Sequence, residues 1–160
     1  MNQLQKFERK CNALTECHNY LGNVFKILNE VITISTILIS AVITTFLPMI
    51  NEETGIANSV LAFSITLLSV FTKAYKPAEK YEQHRAASEQ YIALRSKITQ
   101  KIISSSPDDK NNIDSIYEII TKFENLRKVS PFVDNKLYDK YLLRDYTYTP
   151  LTDVVSEENS

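Results

Sequence analysis

The chain has 160 residues, a net charge of −1 at neutral pH, two glycines and two cysteines. That length fits one domain, and the near-balanced charge gives no electrostatic case for nucleic acid. Gly22 and Gly55 alone cannot build a Walker or dinucleotide loop, and so few glycines favour long helices over turn-rich β architecture.

Residues 3–30 read as one helix. Leu4, Phe7, Cys11, Leu14, His18, Leu21, Phe25 and Leu28 fall at a and d of a strict heptad. The register continues through Ile32, Ser35, Ile39, Val42, Phe46 and Met49, so the expected helix is continuous over about 45 residues, roughly 65 Å. A sustained 3.5-residue repeat means a left-handed packing seam against another helix. Leu14, His18, Leu21 and Phe25 are the candidate seam residues of this arm, serving the stalk or an oligomer.

Val31 to Ile50 is twenty residues without one charged side chain or His, and eleven of them are Val, Ile, Leu or Phe. At 1.5 Å per residue that run covers roughly 30 Å, the hydrocarbon thickness of a bilayer. The turn Asn51-Glu52-Glu53-Thr54-Gly55 follows, then Ile56 to Thr72 supplies seventeen more uncharged residues. The expectation is an all-α membrane protein built on a two-span hairpin, spans about 31–50 and 56–72, with the bilayer as its first partner. Lys6, Arg9, Lys10 and Lys26 precede the first span and Lys73, Lys76, Lys80 and Arg85 follow the second, while the turn carries only acids. The positive-inside rule then places both termini in the cytoplasm. Cys11 and Cys17 fall on that side, where thiols stay reduced and no disulfide is expected. The first run is too long for a signal h-region and lacks a small-x-small cleavage site, so it should be retained.

Beyond the second span, Val60, Phe63, Leu67, Val70, Ala74, Pro77, Tyr81, His84, Ser88, Tyr91, Arg95, Ile98 and Ile102 keep one heptad register, and Ala87 and Leu94 offer an alternative face. Pro77 predicts a kink or a restart at the membrane exit. Residues 78–103 should then zip antiparallel against 3–30 as a cytoplasmic stalk. Folding the hairpin about Glu53 pairs positions whose numbers add to about 106. Composition makes 104–111 a loop. A short amphipathic helix over 112–128 carries Ile113, Ile116, Tyr117, Ile120 and Phe123, and another runs over 134–143. Residues 146–160 read as a disordered tail, which leaves 1–145 as one domain.

Two hydroxyl stripes mark the spans: Thr33, Thr36, Ser40 and Thr44 in the first, and Ser59, Thr66 and Ser69 with Ala62 in the second. They fit pore lining in an oligomer, and they equally fit small-residue packing between membrane helices. Neither span holds an acid or base, which argues against a proton pump or ion-coupled transporter. His18 and His84 interrupt apolar seams; the default for such a histidine is a satisfied interface residue, and a pH-sensitive contact is the alternative. Their spacing with Cys11 and Cys17 matches no metal motif. No nucleophile–base pair is present, so neither an enzyme nor a bound cofactor is expected.

The order helix, two-span hairpin, Lys76-Pro77-Ala78-Glu79-Lys80, then His84-Arg85-Ala86-Ala87-Ser88-Glu89-Gln90-Tyr91-Ile92-Ala93-Leu94-Arg95 resembles the SLATT family. These are two-transmembrane effectors associated with SMODS nucleotidyltransferases and SLOG domains in bacterial conflict systems. The resemblance covers residues 5–143 and is carried by Pro77, His84, Ala87, Tyr91 and Leu94. It implies a homo-oligomer in a bacterial inner membrane that opens a pore and arrests or kills an infected cell. The trigger it implies is a nucleotide signal or a sensor protein encoded nearby. A structural scaffold or anchor whose stalk recruits a partner is the alternative from another class.

Overall fold

The computed structural model describes residues 3–46, 55–104 and 112–144. The expected hairpin turn, the loop after Ser104 and the tail therefore lie largely outside the described residues. Five helices follow in order: α1 Gln3–Phe46, α2 Gly55–Tyr75, α3 Pro77–Ser104, α4 Asn112–Val129 and α5 Asn135–Arg144. No strand occurs among the described residues, and the fold is all-α.

The chain divides into two compact units, Gly22–Glu82 and the remainder, Met1–Leu21 with Gln83–Ser160. In the second of these, the start of α1 and the body of α3 run antiparallel, and three polar links fix their register. Ser88 Oγ donates to Asn19 Oδ1 at 2.7 Å, Arg95 Nη1 to Asn12 Oδ1 at 2.7 Å, and Thr99 Oγ1 to Glu8 Oε1 at 2.8 Å. The paired numbers add to 107 in each case, one residue from the register read in the sequence. Leu4, Cys11 and Leu14 of α1, Tyr91, Leu94 and Ile98 of α3, and Ile119 and Phe123 of α4 form the buried core, with Tyr138 of α5 packed against it. Phe7 and Tyr91 both meet the Phe123 ring edge-on, at 5.3 and 6.2 Å between centroids. Burying aromatic rings in such contacts contributes about 0.5–1.5 kcal/mol each beyond their area.

Helix α4 turns inward a stripe that shares Ile116 and Phe123 with the one its sequence suggests; Ile120 is half-buried, and the side chain of Ile113 lies outside the described residues. Tyr117 is exposed, whereas Ile116, Ile119, Phe123 and Leu126 face the core. The spacing i, i+3, i+7, i+10 keeps these four on one face, and Tyr117 falls about 100° off it. Ser130 ends α4: its N–H and its hydroxyl both donate to the Leu126 carbonyl, at 2.9 and 2.7 Å. Pro131 cannot continue the helix. Helix α5 starts where the Asp134 carbonyl accepts from Tyr138 N at 3.0 Å.

Within Gly22–Glu82 the chain restarts between α2 and α3. Lys76 adopts φ 45°, the left-handed region, while its N–H still donates to the Thr72 carbonyl at 2.9 Å. This is the left-handed helix stop, usually made by Gly. Pro77 explains the position. Its ring disfavours the right-handed α region for the residue before it, and its fixed φ suits the first turn of α3. The Lys76 carbonyl accepts from Lys80 N at 3.0 Å, which makes Lys76 the common boundary of both helices. Lys80 lies over the rings of Phe25 and Tyr75, at 5.3 and 5.0 Å.

Candidate functional site

Among the described residues one helix, α1, is long and apolar enough to cross a membrane, and only 6% of its most apolar stretch is buried. The core helix of a soluble protein would be mostly buried. Here Val31, Ile34, Ile37 and Leu38 of α1 and Val60, Phe63, Leu67 and Val70 of α2 are all more than half exposed. The hydroxyls lie among them. Thr36 and Ser40 are half-buried; Thr33, Thr44, Ser59, Thr66 and Ser69 are exposed. Thr33, Thr36 and Ser40 donate to the carbonyls of Asn29, Ile32 and Thr36 at 2.7–2.8 Å. Thr44 donates to Ser40 and Ala41 at 3.1 Å, and Thr66 to Ala62 at 3.0 Å. Each of these donors is satisfied by its own helix, one turn back, which removes the cost of an orphan hydroxyl in hydrocarbon. The oxygens keep a free lone pair.

Comparisons with family models, curated proteins and solved structures find no match.

The five residues that carry the family resemblance share one property: Pro77, His84, Ala87, Tyr91 and Leu94 are all buried. Of the seam residues, Leu14 and His18 are buried, and Leu21, Phe25 and Tyr81 are half-buried. His18 and His84 meet directly, Nδ1 to Nδ1 at 2.9 Å, with ring centroids 5.1 Å apart. One ring must donate and the other accept, so the neutral pair holds one proton between the two Nδ1 atoms. The His18 ring also stacks on Tyr91, at 5.6 Å and 15°. His18 is fully buried, and its Nε2 has no hydrogen-bond partner among the described residues. Burial, then the charge of His84, pushes the His18 pKa down to about 4, so the ring is neutral at physiological pH.

The two thiols are free and buried. Burial pushes the Cys11 pKa up to about 12 and the Cys17 pKa to about 11. Both stay protonated and pack as small apolar side chains. Among the described residues no cluster of three or more His, Cys, Asp or Glu could hold a metal ion. The sequence register sets His18 opposite Ser88 and His84 opposite Gly22, one helical turn apart, and the structure closes that gap to a direct contact.

Proposed function

We propose that this chain is a two-span membrane protein of the SLATT type, which assembles with copies of itself and opens a pore that depolarises or permeabilises the membrane. The carrying observation is the exposed apolar surface of α1, a continuous helix of 44 residues of whose most apolar stretch only 6% is buried. Such a surface is stable against lipid or against other subunits. The apolar exposed face of α2 supports a second span after the first. The positive flanks and acidic turn support an orientation with both termini in the cytoplasm. The self-satisfied hydroxyls suit either environment: they cost little against lipid, and their spare lone pairs can solvate a lumen.

Induced expression tests the reading. Growth arrest together with entry of an impermeant dye is the expected result. A tolerated, membrane-bound protein with no dye entry would replace the pore by a scaffold, whose support is the polar-linked helical bundle outside the spans.

A further inference from the structure

In the unit Gly22–Glu82, α1 carries a second apolar stripe beside the one its own chain uses. Val24, Ile27, Val31, Ile34 and Leu38 are between 42% and 60% exposed, and they recur at i, i+3, i+7, i+10 and i+14. That is the 3.5-residue repeat of a helix-packing seam. The chain itself does not fill it. The inward side of α1 here is made by Phe25, Leu28 and Ile32, which are buried or half-buried, and Lys80 of α3 lies over the Phe25 ring at 5.3 Å. At about 100° per residue, the two faces stand roughly 120° apart round the helix.

We propose that this stripe is the contact through which α1 packs, in parallel, on α1 of a second copy of the chain. The inference rests on the membrane reading above and names the surface by which copies meet. Lipid is the competing cover, and it reaches only part of the stripe. Val24 and Ile27 precede the uncharged run that begins at Val31, and they stand among Asn23, Lys26, Asn29 and Glu30. Hydrocarbon that covers Val31, Ile34 and Leu38 leaves these two in the headgroup layer or in water. A helix of the same sequence covers all five with one unbroken seam. Its direction follows from the flanking charges: every α1 enters the bilayer from the same side, so neighbouring copies of it run parallel.

The charges beside the stripe suit self-pairing. Val24, Val31 and Leu38 take the a positions and Ile27 and Ile34 the d positions, so each residue meets its own equivalent across a two-fold axis. The bordering g positions are Asn23 and Glu30, and the e positions they face on the second copy are Leu28 and Ser35, so no like charges oppose each other. Glu30 is moreover balanced within its own helix by Lys26, Nζ to Oε1 at 3.9 Å. The hydroxyls of Thr33, Thr36 and Ser40 stand roughly 160° from the centre of the stripe, so the contact leaves them uncovered for the role proposed above.

Cysteine scanning of the full-length chain in membranes tests the contact, in a background carrying Cys11→Ala and Cys17→Ala. Under copper–phenanthroline oxidation, Val24→Cys, Ile27→Cys and Val31→Cys should each give disulfide-linked dimers. Equivalent seam positions of paired helices come within the Cα separation of about 4.4–6.8 Å that a disulfide spans. Phe25→Cys, Lys26→Cys and Asn29→Cys should give several-fold less dimer. Ile27 is exposed, so Ile27→Ser should leave the fold intact while cutting the Val31→Cys dimer several-fold. A lysine-reactive crosslinker on the unsubstituted chain reports assembly independently. Crosslinked multimers with an even cysteine pattern, or with the strongest dimers at Phe25 and Asn29, would overturn the stripe and leave self-assembly standing. Absence of both the multimers and the disulfide dimers would overturn the stripe together with the self-assembling reading.

Discussion

His18 couples packing to pH. Its folded pKa is about 4 against an ordinary value of 6.5. As pH falls through 6.5 the unfolded chain takes up a proton and the folded chain does not. The stability tied to His18 is therefore complete above about pH 6.5 and is lost as the pH approaches 4. A depression of that size corresponds to at most about 3 kcal/mol. Carboxylates titrate in part of the same window, so the expected observation is a difference: melting temperature should fall more steeply from pH 6.5 to 4 in the wild type than in His18→Gln. Parallel profiles would count against it. The span hydroxyls carry a second prediction at this scale. Thr36, Ser40 and Thr66 donate to their own backbone, so replacing them and Ser69 by Val strands no partner on another helix. Insertion and crosslinked assembly should survive in that four-Val protein, while planar-bilayer conductance and toxicity fall together because an apolar constriction dewets. Loss of assembly instead would make these residues packing elements, and wild-type conductance would remove them from the pore.

At the level of elements, the seam of α1 is used inside the chain. Leu14 is buried against α3 and α4, so Leu14→Asp places a charge in that core. The cost is several kcal/mol. Limited proteolysis should then cut α3 and α4 readily while the apolar part of α1 stays protected by micelle or membrane. Unchanged resistance would show that the core tolerates the charge. The helices were legible because their cues are local: a long uncharged run, a heptad in each arm, and Pro77 as a breaker. The inward face of α4 was legible for Ile116 and Phe123, but two overlapping stripes satisfy the same apolar pattern, and only tertiary packing chooses Ile119 over Tyr117. Arg127, Asn135 and Tyr138 close a pocket with His18 from more than 100 residues along the chain, and no spacing rule joins them. Lys76 was hidden for a different reason: the sequence marks Pro77, but the left-handed turn belongs to the residue before it.

For the whole molecule, orientation is the accessible question. A cysteine placed at Thr54 should react with an impermeant maleimide added outside intact cells, and one placed at Ser156 should not. The native thiols give little background, since both are buried and their pKa values lie at about 12 and 11. Labelling at Ser156 alone would reverse the topology.

The register of the bundle constrains how this protein's length can change over time. Three polar pairs fall on one constant sum, so the arms of α1 and α3 keep step like the teeth of a zip. A residue gained between Asn12 and Asn19 moves one pair off its partner, and the helix rotates by about 100° with it. A matching gain between Ser88 and Arg95 restores the axial spacing of the two links, though not the face they share. Insertions and deletions in the two arms should therefore appear together and in equal number among sequences descended from a common ancestor. They should favour multiples of seven, which return each seam residue to its own face.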